Sequence, residues 1–254
     1  MFPILFRLDG FTVYGYGFFL ILGTVVAGTL AVLKIRKKGL GISFERVADL
    51  FFYSVLSAMV GSRALFVLIN FDLYRQDPLR MFNIWEGGLV FYGGLLLAVS
   101  VSILYMRRHR LPVWKILDLT SPFVALGLFF GRIGCYSAGC CYGKETSLPW
   151  GVTFTDQNSL ARLGVSLHPT QLYEALMGLA IFLYLIWKEK RKAFDGQISL
   201  LFLLLYSTGR FFIEMLRGDP RGFLIEGLIS TSQAIAIILA IPSAFMLFYL
   251  NKPR

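Results

Sequence analysis

At 254 residues, 56% of them hydrophobic and 24 of them phenylalanine, the chain is far more apolar than a soluble domain of its length needs. Its mean hydropathy is +0.66. The formal charge of +10 sits in short, separated basic runs beside apolar segments, which argues against a nucleic-acid surface and for a membrane-bound chain.

A transmembrane helix needs roughly 20 mostly apolar residues at about 1.5 Å of rise each. The first such run, about 11–33, follows Arg7 and Asp9. It is too long for the h-region of a signal peptide and lacks a small-residue cleavage site, so it is expected to stay as a span. The second, 47–69, carries Arg63 within it. The third, 88–105, begins among the glycine pairs of "WEGGLVFYGGLL" (Gly87, Gly88, Gly93, Gly94), which would let a backbone or a lipid chain approach closely. The fourth, 116–134, brings Arg132 to its end. A long connection, 135–171, follows, with Pro149, Trp150 and "LHPTQLYE" in it, a natural place for a lid or recognition surface. The fifth run, 172–187, is the shortest; the sixth, 197–216, carries Arg210 and Glu214; the seventh is 228–250. The expected fold is an all-α integral membrane protein of seven transmembrane helices, a single transmembrane domain over 1–254.

Charge orients it. Lys34, Arg36, Lys37, Lys38 and Arg46 lie in one connection, Arg107, Arg108, Arg110 and Lys115 in another, and Lys188, Lys190, Arg191 and Lys192 in a third. Lys252 and Arg254 close the chain. All are on alternate connections, so the positive-inside rule predicts the N-terminus outside and the C-terminus cytoplasmic. An odd number of spans agrees with that. His109, within one of these basic runs, reads as a solvated residue.

Charges inside apolar runs are expensive, about 2.5–3.5 kcal/mol each at mid-membrane on insertion scales, and are usually functional or paired. Arg210 and Glu214 stand at i, i+4, on one helix face, where they can pair. A plain Arg–Glu staple between helices is one reading. The other starts from depth: Arg132 and Arg210 both lie toward the outer ends of outward-running spans. Two planar guanidiniums at similar depth suit a phosphate, whose oxygens they match in pairs. A phospholipid head group carries its phosphate there.

Beyond the fourth span come all three cysteines, Cys135, Cys140 and Cys141. On the outer side of a bacterial inner membrane a disulfide is possible, with at least one thiol left over. C-x4-C-C with His168 could supply four metal ligands, although the usual paired spacing of a zinc ribbon is missing. Small thiols packed in a glycine-rich turn explain the cluster equally well.

Six stretches, in order, resemble the prolipoprotein diacylglyceryl transferases of the bacterial inner membrane. They are "YGYGFFLILG" (14–23), "GSRALFVL" (61–68), "WEGGLVFYGG" (85–94), "GRIG" (131–134) with Gly139 and Gly143, "HPTQLYEA" (168–175) and "GRFFIEMLR" (209–217). The resemblance implies transfer of the diacylglyceryl group of phosphatidylglycerol to the lipobox cysteine thiol of a preprolipoprotein signal peptide, with release of glycerol 1-phosphate. It implies that Arg132 and Arg210 hold the departing phosphate, with Glu214 orienting Arg210. Tyr16, Arg63, Gly93, Gly94, Gly134, Gly143 and His168 match further family positions, and Tyr92 stands at another with a different residue. No metal or other cofactor is implied, because the leaving phosphate needs only fixed cations.

Two departures stand out. The family usually has Phe-His-Gly-Gly where this chain has "FYGG", so Tyr92 replaces a candidate base, and tyrosine, with a pKa near 10, is a poor base at neutral pH. The signature usually carries Asn after "GRIG" and an acid five positions on; here these are Cys135 and Cys140. Either the family histidine is dispensable and the cysteines substitute structurally, or the chain is a family member whose acceptor or reaction has drifted. A phospholipid transporter or flippase using the same clamp would commonly show internal repeats and broken helices, neither of which is evident. A thiol–disulfide enzyme would usually need C-x-x-C, which is absent.

Overall fold

A computed structural model describes residues 2–8, 11–75, 77–83, 87–219, 222–225 and 229–251. Among these, seven α-helices carry the architecture: α1 (Gly15–Lys37), α2 (Phe44–Ile69), α3 (Phe91–Arg108), α4 (Val113–Ala138), α5 (Thr170–Glu189), α6 (Gln197–Met215) and α7 (Thr231–Leu250). Short antiparallel pairs decorate them: β1 (Ile4–Leu8) with β2 (Phe11–Tyr14), β3 (Val152–Thr153) with β4 (Ser166–Leu167), and β5 (Phe223–Ile225) with β6 (Ile229–Ser230).

All the helices except α3 are long and apolar enough to cross a membrane. The fold is thus that of a helical, multi-pass membrane protein. The shortfall is in α3, not in the short fifth run: its 18 residues end on Arg107 and Arg108. The fifth run lengthens to 20 residues: Thr170 and Gln171, both fully buried, begin the helix, and it runs on through Lys188 and Glu189. Residues 11–14, expected to open the first span, instead form β2. Large apolar side chains such as Ile21, Leu68, Leu96, Leu183, Ile238 and Phe248 point away from the interior. In water so large an apolar surface would drive association, whereas in a bilayer it is the lipid face.

The chain forms two compact units, Met1–Ala31 with Leu117–Arg254, and Val32–Ile116. In the first, Ala125, Ile181, Leu185 and Ile198 make one core, and Ala27, Phe123 and Leu126 another. Small residues let the helices close: a Cβ on Gly178 would stand 3.0 Å from the carbonyl oxygen of Ala125. At one end of this unit Asp118 is wholly buried and accepts from Lys192 Nζ (3.0 Å), the Gly196 amide (2.8 Å) and the Ser199 amide (3.0 Å), which ties the α5–α6 turn to α4. In the second unit α2 and α3 pack through Gly61, Gly93 and Gly94, and Ser54 and Ser102 share a hydrogen bond at 2.7 Å.

Candidate active site

Near the end of α4 opposite Asp118, Arg132 reaches α5 and places Nη2 2.8 Å from Glu174 Oε2. The other oxygen of Glu174 accepts from Arg217 Nη1 at 3.0 Å and lies 3.7 Å from Arg210 Nη1. Arg210 pairs with Glu214 at i, i+4, and Glu214 Oε1 accepts from Ser230 Oγ at 2.9 Å. Ser230 is the N-cap of α7, closed by a capping box with Gln233. Arg217 also grips Asp219 with two hydrogen bonds, 2.8 and 3.0 Å. Burial pushes the Asp219 carboxyl above its ordinary range, although Arg217 pulls the other way.

Three guanidiniums thus face three carboxylates, which is how so much charge is kept out of water. Access is uneven. The Arg132 side chain is 19% exposed, Arg210 10% and Arg217 2%. Arg132 is thus the most open of the three, and Glu174 joins it to Arg210. Gln171 Oε1 and Ser207 Oγ are buried without a hydrogen-bond partner among the described residues. Each lies one turn before a cluster member, Gln171 before Glu174 and Ser207 before Arg210, on the same helix face. The cluster therefore offers neutral polar groups beside its charges.

The connection after α4 is shorter than expected. Helix α4 runs to Ala138, so Cys135 lies within its last turns and only Cys140 and Cys141 lie beyond. The connection has its own core of Phe154, Ala161 and Leu167. It is stitched to the cluster at Gly143, whose amide donates to His168 O (3.0 Å), while the next amide, Lys144, donates to Leu216 O (2.8 Å). Any Cβ at 143 would stand 2.5 Å from His168 Cβ and 2.7 Å from its carbonyl oxygen, so glycine is required. His168 Nδ1 is 3.3 Å from Tyr173 Oη, which accepts from Trp150 Nε1 at 2.8 Å.

All three cysteines are free thiols, so the disulfide considered from sequence is not formed. Their sulfurs lie within 4.8 Å of one another, and His168 is not among them. Gly139 (φ 76°) and Cys141 (φ 64°) take left-handed conformations that turn the chain back on itself. The Cys140 and Cys141 carbonyls accept from Gln171 Nε2 and Thr170 Oγ1, both at 2.8 Å. Beside this turn, Gly134 lets α4 close on α1: a Cβ there would stand 3.1 Å from Tyr16 O. Tyr16 itself is 42% exposed.

The other matched residues belong to the second unit. Arg63 spends its whole fork on backbone carbonyls: Nε to Met81 O (2.8 Å), Nη2 to Arg80 O (2.8 Å), Nη1 to Gly87 O (2.7 Å) and Gly88 O (3.3 Å). Gly87 and Gly88, at φ 81° and 75°, take the left-handed backbone that only glycine adopts without strain. Gly93 and Gly94 are consumed by packing against α2, with the Gly93 Cβ position 2.5 Å from Leu65 Cβ. Tyr92 opens α3 with its ring 5.7 Å from that of Phe91. Trp85 and Glu86 of the same stretch lie outside the described residues.

Glu174, Arg217 and Asp219 were not singled out from sequence, although they stand in or beside "HPTQLYEA" and "GRFFIEMLR". A lone acid in an apolar helix was the available signal: at the cost of burying it, Glu174 had to have a cationic partner.

The model of the family described as prolipoprotein diacylglyceryl transferase matches residues 3–249. A phosphatidylglycerol–prolipoprotein diacylglyceryl transferase of Clostridium tetani is 34% identical over 244 residues, 96% of each chain. The Clostridium perfringens protein bearing the same name with the number 2 is 35% identical over 249 residues, 98% of this chain and 95% of its own. A namesake from Vibrio cholerae is 34% identical over 253 residues, 98% of this chain and 92% of its own.

Proposed function

The chain belongs to the prolipoprotein diacylglyceryl transferase family, and on that premise we propose that it moves the diacylglyceryl group of phosphatidylglycerol onto the lipobox cysteine of a preprolipoprotein. The cysteine sulfur attacks the glyceryl carbon that bears the phosphate. A C–S bond forms, the C–O bond breaks, and glycerol 1-phosphate departs with the electron pair; the thiol gives up its proton. Charge builds on the leaving phosphate, so cations fixed in advance lower the barrier.

The observation that carries this reading is the Arg132–Glu174–Arg210 relay. Glu174 holds two guanidiniums in one place before any lipid arrives, and each guanidinium has five N–H donors, more than Glu174 can use. Arg132 is the more exposed and takes the phosphate first; Arg210, backed by Glu214 and Ser230, backs it. Gln171 and Ser207 are suited to the hydroxyls of the head-group glycerol. The reading includes seven spans, α3 counted, with the N-terminus outside and the C-terminus cytoplasmic, in a bacterial inner membrane.

Single turnover in detergent with phosphatidylglycerol and a lipobox peptide tests it, scored by glycerol 1-phosphate and by the peptide's mass gain. The native chain forms both products, Arg132→Ala and Arg210→Ala form neither, and Tyr92→Phe forms both. No product from the native chain with several lipobox peptides, while the lipid still binds, would leave the family's scaffold without its reaction.

A further inference from the structure

The three cysteines form a site of their own beside the cluster. Cys135 comes from the last turns of α4, and Cys140 and Cys141 from the turn that follows, yet all three sulfurs fall within 4.8 Å of one another. A single metal ion bonds thiolate sulfur at about 2.3 Å, so three sulfurs at this mutual spacing can surround one ion with small side-chain rotations. Cys135 is buried and its neighbours half-buried, so the Cys140–Cys141 side of the group is the more open.

The turn is built to keep this arrangement. Cys141 is held at φ 64°, one of two described non-glycine residues with positive φ, a conformation that costs roughly 1–2 kcal/mol for a residue with a Cβ. The strained peptide is pinned by the hydrogen bonds from fully buried Thr170 and Gln171 to the carbonyls of Cys141 and Cys140. Gly139 is required in its place as well, at φ 76° with Ser159 and the Ala161 amide against it. A turn that merely needed small side chains could use alanine or serine at these positions without thiols. Arg132 Nη1, 3.9 Å from Cys135 Sγ, supplies positive charge beside the sulfurs. Three thiolates carry a net charge of −1 around a divalent ion and −2 around a monovalent one, and the nearby guanidinium, shared with Glu174, lessens the cost of that charge.

We propose that Cys135, Cys140 and Cys141 bind one thiophilic d10 metal ion, such as Zn(II) or Cu(I), through three thiolates. Soft thiolate ligands select these ions over oxygen-seeking ones. Each thiol releases its proton on ligation. The ion joins the last turns of α4, which also carry Arg132, to the turn that Thr170 and Gln171 anchor on α5. It acts as a staple across the two helices that meet through Glu174.

Cd(II) is the probe, added to the reduced full-length chain in detergent without oxygen. One Cd(II) per chain, an ultraviolet thiolate-to-metal charge-transfer band and a raised melting temperature are expected. Cys135→Ser, Cys140→Ser and Cys141→Ser, each checked for native melting without metal, should each weaken binding at least tenfold. The native chain decides the matter even if a variant fails to fold. No charge-transfer band at saturating Cd(II), with three thiols counted by denatured alkylation, overturns the proposal. So does a band whose affinity the Cys140 and Cys141 substitutions leave unchanged.

Discussion

Arg132 on α4 and Glu174 on α5 meet at 2.8 Å, and the same carboxylate takes Arg217 of the α6 end at 3.0 Å through its other oxygen. One buried acid thus assembles cations from three parts of the chain. A family resemblance assigns the phosphate to arginines; the contacts add that a carboxylate, itself 1% exposed, keeps those arginines in place.

Removing that carboxylate leaves buried guanidiniums uncompensated, which typically costs about 3–5 kcal/mol. Glu174→Gln is expected to lower thermal stability in detergent by that order and to abolish transfer. Glu174→Asp, which keeps the charge one methylene short, should recover more stability than activity. Melting curves and single-turnover assays on the same preparations check both.

Arg132 and Arg210 differ in exposure, 19% against 10%, and so should their lysine variants. A lysine keeps the charge and loses the planar fork. Arg132→Lys is expected to slow transfer by about 10²-fold, the scale of losing one preorganised donor, with little change in melting. Arg210→Lys should also lower the melting temperature, because without the fork one ammonium serves Glu214 and Glu174 less well than the guanidinium that now contacts both.

Gly143→Ala puts a methyl group 2.5 Å from His168 Cβ and 2.9 Å from the Leu216 carbonyl. Neither neighbour is the end of a flexible side chain. A destabilisation of about 1–3 kcal/mol is expected, as for overpacking elsewhere. Hydrogen exchange should rise at the Lys144 and His168 amides, which this seam protects.

Arg63 supports the backbone carbonyls of Arg80, Met81, Gly87 and Gly88. Arg63→Lys can satisfy only some of those acceptors. Faster amide exchange in residues 80–83, with the α4–α6 cluster unaffected, is the expected signature, read by mass spectrometry.

Lys192 sits half out of water between α5 and α6. Burial would lower its pKa, but hydrogen bonds to Asp195 and Asp118 outweigh that and raise it above the ordinary lysine value. A raised folded-state pKa contributes stability that is complete below the unfolded value and lost as pH climbs through the folded one. Stability should therefore be flat through neutral pH and fall only above about 10.4. The fall should be shallower in Lys192→Met, measured by unfolding at a series of alkaline pH values.

The amino-acid sequence by itself determined the class of fold, because length and hydropathy act locally: each apolar run makes its own helix wherever its neighbours lie. The i, i+4 pair of Arg210 and Glu214 was legible for the same reason, since helical periodicity alone brings the two together. Helix ends were less so. Burial of Thr170 and Gln171 starts α5 early, and α4 continues through Cys135 to Ala138, both settled by contacts with other segments. The partners of Arg132, the shared role of Glu174 and the convergence of three sulfurs could come only from the tertiary structure. They depend on how α4, α5 and α6 close against one another through Gly178 and Ala125, and no spacing along the chain encodes that distance.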